Sequence, residues 1–235
     1  MKKITAIIIL LFFVQWWLAD PTISVPTNDV TFSYIVKYTE ASNKNDLLPM
    51  LVALHGNGDT TENFYATALD ELSVPVRMIL LEGPIPKGTG NAWPWSPEDF
   101  KQYGEAVNEA VELLADKYPT TLKPVLLGFS GGGMMAYYQA VKHGSSYSYI
   151  FPISGKLSKD LLGDDLSSPG ARVHAFHGKK DNVLSVSGGR NAVKLLTSMG
   201  INASLTEFDG GHLGIFKSMK TDITHAVEKK ILSLN

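Results

Sequence analysis

The stretch Lys123–Tyr138, KPVLLGFSGGGMMAYY, decides the fold of this chain. A short apolar run leads into the pattern G-x-S-x-G, and a helix-like segment follows. This order predicts a nucleophile elbow, in which a strained turn between strand and helix lifts the Ser130 hydroxyl clear of the sheet. Gly128 and Gly132 lack the Cβ atoms that would collide where strand and helix cross. The N–H of Gly131 lies at a helix N-terminus and can face a developing negative charge.

Composition narrows the class of protein. The chain has 235 residues, of which 44% are hydrophobic and 19% charged, which suits one globular domain with a sheet buried on both faces. A net charge of -2 and the lack of a long Lys or Arg run argue against a nucleic-acid partner. The chain has no cysteine, which excludes disulfides, thiolate catalysis and cysteine-ligated metal sites.

The N-terminus has the layout of a secretory signal peptide. Two lysines precede the apolar block Ile4–Val14, so we expect residues 1–19 to direct export to the periplasm or the medium and residues 20–235 to form the mature domain. Ala19 suits the last position before cleavage, but Trp17 stands where a small residue is expected. An uncleaved segment that tethers the protein to a membrane is therefore the alternative, although Ile4–Ala19 is only sixteen residues long with Gln15 inside, fewer than the roughly 20 that span a bilayer.

Strand-like and helix-like segments alternate along the rest of the chain. Apolar runs and period-two alternation predict strands at Thr31–Tyr38, Met50–Leu54, Val76–Leu81, Lys123–Gly128, Tyr147–Ile153, Ala171–His177 and Ala203–Phe208. Helical patterns cover Thr61–Leu72, Pro97–Tyr118, Gly131–Lys142, Ser187–Met199 and about Phe216–Leu234. The alternation predicts an α/β fold with a mainly parallel sheet, helices on both faces and ligands at the carboxyl ends of the strands. The first of these strands alternates like an edge strand.

A nucleophilic serine needs a base and an acid at other strand ends, in the chain order serine, acid, histidine. Asp181 lies in the loop just beyond one predicted strand, and His212 lies in the loop beyond the next. Each residue alone has an ordinary explanation, as a turn aspartate or a solvated loop histidine. Their order and their places at strand ends instead predict a triad of Ser130, Asp181 and His212, in which the carboxylate accepts the imidazole N–H and the imidazole takes the serine proton.

An oxyanion site needs a second N–H donor beside that of Gly131. The central strand ends in the glycine-containing loop HGNGD, whose backbone can approach a substrate closely. The N–H of Asn57 is the candidate. We expect His55, at the start of the same loop, to be a structural residue rather than a second base.

No metal or cofactor is expected. His174 and His177 are three residues apart on a predicted strand, so their side chains face opposite sides and do not share one ion. The chain contains no G-x-G-x-x-G or P-loop pattern.

Four motifs together resemble the α/β-hydrolase superfamily: LHGNGD at Leu54–Asp59, GFSGG at Gly128–Gly132, HGKKDNVL at His177–Leu184 and GGH at Gly210–His212. More closely, they resemble its phospholipase/carboxylesterase branch, which includes carboxylesterases and acyl-protein thioesterases. The resemblance implies a metal-free serine hydrolase that acts on carboxylic esters or thioesters. That branch often has Gln directly after the serine, where this chain has Gly131.

The substrate site is expected to be open. The Pro- and Gly-rich loop Glu82–Pro97 carries Trp93 and Trp95, which either form an apolar wall beside the serine or pack the loop onto the body. The connection Ile153–Ala171 is short and polar, in the region where lidded lipases that resemble this fold insert a cap. Small or accessible esters would suit such a site.

The favoured function is a carboxylesterase that cleaves a small-molecule or lipid-like ester through an acyl-enzyme intermediate. A lysophospholipase, an acyl thioesterase or a peptidase on the same triad is the first alternative. A non-catalytic binding protein with the same fold is the second. Because His212 must be neutral to act as a base, activity should rise with pH between 5 and 8.

Overall fold

The computed structural model describes residues 23–162, 170 and 172–233. The predicted N-terminal signal or anchor segment, residues 1–19, lies outside these ranges. Ten strands are present within them: β1 (Ile23–Pro26), β2 (Thr31–Tyr38), β3 (Met50–Leu54), β4 (Arg77–Leu81), β5 (Ile85–Lys87), β6 (Gly90–Ala92), β7 (Val125–Phe129), β8 (Tyr149–Ile153), β9 (Arg172–Gly178) and β10 (Asn202–Phe208).

The helices of the described ranges are α1 (Thr61–Phe64), α2 (Pro97–Lys117), α3 (Gly131–Lys142), α4 (Val186–Ser198), α5 (Ile215–Ser218) and α6 (Lys220–Ser233). A π-helical turn, Tyr65–Leu69, continues α1, and short 3₁₀ turns lie at Gly144–Ser146 and Lys159–Leu161. None of these helices combines the length and the apolar character needed to cross a membrane.

Eight strands form one sheet in the order β1-β2-β4-β3-β7-β8-β9-β10. The six strands from β4 to β10 in this order run parallel, and β1 and β2 are antiparallel to their neighbours. The predicted α/β class with a mainly parallel sheet is therefore confirmed. Strands β5 and β6 form a separate hairpin.

The prediction that Thr31–Tyr38 is an edge strand is wrong. The strand β1 pairs along it, from Ile23 opposite Tyr34 to Pro26 opposite Thr31, and so takes the edge position. Four residues, ISVP, are too short for an alternation pattern, which is why the sequence does not reveal this strand. A short edge strand that ends in proline also limits further pairing, since proline has no N–H to offer.

Helices cover both faces of the sheet because the buried strands are apolar on both sides. Alternate residues of β3 belong to different cores: Val52 and Leu54 pack in the core shared with α2, α3 and α4, and Leu51 and Ala53 pack in the core shared with α1 and α6. Such strands read as continuous apolar runs, as MLVAL does.

Local sequence signals fix where the long helix α2 begins. The Ser96 hydroxyl accepts the N–H of Asp99 at 3.2 Å, Pro97 occupies the first helical position, and acidic residues stand in the first turn.

The predicted helix at Thr61–Leu72 has a different form. It is α-helical only to Phe64 and then widens into the π turn.

Candidate active site

The candidate nucleophile Ser130 lies between β7 and α3, as the G-x-S-x-G pattern predicts. Its backbone angles are φ 54° and ψ −112°, a strained conformation for a residue with a Cβ. Two hydrogen bonds hold it there, from its N–H to the Ile153 carbonyl at 2.9 Å and from the Met134 N–H to its carbonyl at 2.9 Å. A Cβ at Gly128 would clash with the Gly132 carbonyl, so close crossing of strand and helix requires glycine at that position.

His212 lies in the loop after β10, and its imidazole contacts the serine. Its Nε2 is 2.9 Å from Ser130 Oγ, and its Nδ1 is 2.6 Å from Asp181 Oδ2. The Phe129 ring packs against it, with ring centroids 5.0 Å apart, and only 5% of the His212 side chain is exposed. Because an ionised carboxylate only accepts, Nδ1 carries the proton in this arrangement and Nε2 accepts from the hydroxyl.

Asp181 lies in the loop after β9 with its side chain fully buried. While Oδ2 accepts from the imidazole, Oδ1 accepts the backbone N–H groups of Val183 at 2.9 Å and Leu184 at 2.8 Å. The loop therefore closes around the carboxylate and orients it. The structure brings the three residues of the predicted triad together, from the carboxyl ends of β7, β9 and β10.

The two residues that carry the predicted oxyanion donors, Asn57 and Gly131, lie against each other. Among the described residues no acceptor is bonded to the backbone N–H of Asn57 or to that of Gly131. A Cβ at residue 131 would clash with Asn57 Oδ1, so the loop after β3 lies directly against the start of α3. This contact explains why glycine follows the serine here: the Asn57 amide fills the space that a side chain would need.

Several hydrogen bonds hold the loop that carries Asn57. Asn57 Oδ1 accepts the backbone N–H of Trp93 at 2.8 Å. The indole Nε1–H of Trp93 donates to the His55 carbonyl at 2.8 Å. His55 is fully buried, with Nδ1 2.7 Å from the Gly56 carbonyl and Nε2 2.8 Å from the Gly83 nitrogen. Its ring therefore supports the loop, which is the structural role expected of it.

The two tryptophans of the loop between β4 and α2 have different environments. The Trp93 ring is fully buried, so the prediction that it forms a wall of the substrate site is wrong. It instead packs the loop onto the body, against Phe32 and His55. Trp95 lines the cleft in front of Ser130 and is 52% exposed.

The cleft in front of Ser130 has a volume of about 460 Å³. Apolar side chains from three loops stand around it, and those of Trp95, Val183 and Leu213 are 52%, 62% and 77% exposed. The other lining residues include Asn57, Asp59, Asn63, Lys87, Phe129, Leu184 and His212. The cleft therefore offers both apolar and polar contacts next to the serine.

Sequence reasoning missed two features of the site. Val183 and Leu213 were not identified as lining residues, although each lies within two residues of a triad member. The sequence indicates no role for His177 beside the triad, yet its Nε2 is 3.2 Å from Asp181 Oδ2. The HG pair just before Asp181 is the one signal that places a histidine at this strand end.

Among the described residues no cluster of His, Asp or Glu could hold a metal ion.

The model of the phospholipase/carboxylesterase family matches residues 96–231, a range that includes Ser130, Asp181 and His212. The chain belongs to this family. It is thus a hydrolase of the α/β-hydrolase superfamily, and the four sequence motifs indicated the right branch. No curated protein sequence matches the chain.

Solved structures share the fold at low sequence identity. A carboxylesterase from Mesorhizobium loti is 16% identical, with a TM-score of 0.70, and the match covers 88% of this chain and 97% of that one. The Bacillus cereus carboxylesterase is 17% identical, with a TM-score of 0.66 and coverage of 83% and 94%. Zea mays acyl-protein thioesterase 2 is 19% identical, with a TM-score of 0.64 and coverage of 84% and 98%.

Proposed function

We propose that the protein is a serine carboxylesterase that uses Ser130, His212 and Asp181. The observation that carries the proposal is the continuous hydrogen-bonded chain from Ser130 Oγ through the imidazole to Asp181 Oδ2, with distances of 2.9 and 2.6 Å. The serine also opens onto a cleft that Asn57 lines, and among the described residues the backbone N–H groups of Asn57 and Gly131 have no acceptor. These features support a site in which a nucleophile, a base, an acid and oxyanion donors act together.

In the first half of the reaction, Ser130 Oγ attacks the ester carbonyl while His212 Nε2 takes its proton. Asp181 stabilises the resulting imidazolium through the Nδ1–H bond. The carbonyl oxygen becomes an oxyanion, which the N–H groups of Asn57 and Gly131 stabilise. The tetrahedral intermediate then collapses: the ester C–O bond breaks, and the alcohol leaves with the proton from His212.

In the second half, water replaces the alcohol. His212 takes a proton from the water as its oxygen attacks the acyl-enzyme carbonyl. Collapse of the second intermediate releases the carboxylic acid, and the proton returns to Ser130. No net proton remains on the imidazole, so the base is ready for the next substrate.

The exposed apolar residues around the cleft favour an ester with an apolar acyl group. Trp95, Val183 and Leu213 are exposed large apolar residues, and all three line the same cleft rather than standing singly on the surface. No cap covers the serine among the described residues. We therefore propose that the enzyme takes esters directly from solution, with the acyl chain against this apolar rim.

The test compares acyl chains and leaving groups on the purified mature chain. Acetyl, butyryl and octanoyl p-nitrophenyl esters, an octanoyl thioester, an octanoyl amide and a lysophospholipid are assayed beside Ser130→Ala. We expect ester cleavage that the variant lacks, with butyryl or octanoyl preferred over acetyl. Faster thioester or amide cleavage would favour the thioesterase or peptidase alternative, and lysophospholipid cleavage the lysophospholipase. A folded chain inactive on every substrate would contradict the esterase and favour a binding protein.

We also propose that the segment before residue 20 exports the protein. The support is its pair of lysines followed by an apolar block. Mass spectrometry of the protein from the medium or periplasm of a secreting host should find a chain that begins near Asp20. A full-length chain in the membrane fraction would instead favour the anchor.

A further inference from the structure

The buried side chain of His177 lies beside the carboxylate of Asp181 and has no part in the mechanism above. It stands near the end of β9, and 1% of the side chain is exposed. Its Nε2 is 2.7 Å from the Leu184 carbonyl oxygen and 3.2 Å from Asp181 Oδ2. Because both oxygens only accept hydrogen bonds, Nε2 must carry a proton; its N–H donates to the Leu184 carbonyl and lies within ion-pair distance of the Asp181 carboxylate.

Asp181 Oδ2 therefore lies between two imidazoles. It accepts from His212 at 2.6 Å on one side and faces the His177 N–H at 3.2 Å on the other. Oδ1 accepts two backbone N–H groups from the same loop. A carboxylate with donors on both oxygens cannot rotate without losing one of them. The loss would be costly here because the side chain is fully buried and water cannot replace the donor.

A glycine on the neighbouring helix makes room for the His177 ring. A Cβ at Gly189 in α4 would lie 2.6 Å from His177 Nδ1. Glycine inside a helix weakens it relative to alanine, and the φ angle of Gly189 is not one that requires glycine. Helix α4 thus has a helix-weakening glycine, Gly189, at the point where the His177 imidazole packs against it.

We propose that His177 is a positioning residue for Asp181: its Nε2–H, 3.2 Å from Oδ2, attracts the carboxylate and keeps it in the orientation in which Oδ2 accepts the Nδ1 proton of His212. This inference rests on the proposed esterase function. In a purely structural role, the bond from His177 to Leu184 would only close the loop. The positioning role differs because it predicts that His177 affects turnover through Asp181.

The first test measures kcat and KM for p-nitrophenyl butyrate on folded variants. His177→Leu removes the N–H at similar volume, and we expect kcat to fall about tenfold with KM changed less than about twofold. His177→Gln places an amide N–H near the same point and should recover most of the loss. The matched control is His174→Leu, on the same strand but the opposite face, which should keep native kcat. A folded His177→Leu variant with native kcat would overturn the proposal.

The second test is a double-mutant cycle with Asp181→Ala. If His177 acts through Asp181, adding His177→Leu to Asp181→Ala should lower kcat by less than about twofold. An equal loss in both backgrounds would contradict the proposal, because a structural role does not depend on the carboxylate. Gly189→Ala covers the case in which His177→Leu fails to fold. It keeps His177 but displaces the ring, so kcat should fall, and native kcat would again overturn the proposal.

A fluorophosphonate probe on the native chain separates this proposal from the one on which it rests. A native chain that neither reacts with the probe nor cleaves the ester overturns both. An active native chain with an equally active His177→Leu variant overturns only the role of His177.

Discussion

At the scale of single residues, the contact between Asn57 and Gly131 sets the shape of the proposed oxyanion site. The two residues come from different strand ends, and each supplies a backbone N–H. Asn57 Oδ1 accepts from Trp93 and lies where a side chain at 131 would stand. The positions of the two proposed backbone donors thus depend on residue 131 having no Cβ.

Gly131→Ala should therefore lower kcat strongly. The added Cβ clashes with Asn57 Oδ1, so either the loop after β3 or the start of α3 must shift. Loss of one oxyanion donor commonly costs about 10²–10³ in turnover, and we expect a fall of about 10². Steady-state kinetics on p-nitrophenyl butyrate measures it. The control is Gly214→Ala, where the nearest atoms are 3.6 Å away. Equal activity of the two variants would argue against Asn57 and Gly131 as paired donors.

The pH dependence of turnover tests the base. His212 Nε2 must be unprotonated to accept from Ser130, so kcat/KM should be lower in acid than at neutral pH. The profile is measured with an ester whose own hydrolysis is slow over this range. A flat profile on a stable enzyme would contradict the assignment of His212 as general base.

At the scale of elements, the loop between β4 and α2 shows what the sequence does not determine. Two tryptophans two residues apart in a Pro- and Gly-rich segment are alike in sequence terms. The hairpin of β5 and β6 folds within this loop, and Ile85 opposite Ala92 sets its register. With the hairpin in this position, the Trp93 side chain is fully buried, whereas Trp95 lines the cleft. Neither three-residue strand is long enough to produce a period-two signal.

Substitution of the two tryptophans should separate stability from activity. Trp93→Phe leaves the buried His55 carbonyl without its donor, so the free energy of unfolding should fall by about 1–3 kcal/mol. Trp95→Ala removes a half-exposed ring and should change the free energy of unfolding by less than about 0.5 kcal/mol. It should instead lower kcat/KM for octanoyl esters more than for acetyl esters. Urea unfolding and ester kinetics measure both effects. A Trp95→Ala variant with unchanged chain-length preference would contradict the proposed apolar rim.

Other elements were predictable for physical reasons. Buried parallel strands such as β3 and β7 are continuous apolar runs, and α2 begins with a capping serine and a proline, so these signals are local. The parallel sheet also places the ends of β7, β9 and β10 on one edge, which made the grouping of Ser130, Asp181 and His212 predictable. The contact of His177 with Asp181 was not predictable, because it depends on how the intervening loop folds back.

At the scale of the whole molecule, one histidine couples stability to pH. Burial near the rings of Phe151 and Phe176, and next the charge of Lys230, hold the pKa of His174 below its ordinary value. The unfolded chain therefore takes up this proton more readily than the folded chain. The stability that neutral His174 contributes is present above pH ~6.5 and is lost as pH falls through the lowered pKa.

Between pH 7 and pH 5 the native chain should lose more stability than His174→Gln. Glutamine keeps an amide within reach of Thr206, which His174 Nε2 contacts at 2.8 Å, but does not titrate. Urea unfolding of both proteins at the two pH values gives the two losses. Equal losses would show that His174 does not contribute to the acid sensitivity.

The central claim is that Ser130 is an activated nucleophile, and labelling by a fluorophosphonate probe tests it most directly. The probe reacts with activated serines regardless of the true substrate. The purified protein is compared with Ser130→Ala and His212→Ala, each shown to be folded by circular dichroism. We predict that the native chain is labelled, that Ser130→Ala is not, and that His212→Ala is labelled far more slowly. A folded native chain that the probe does not label would contradict the account.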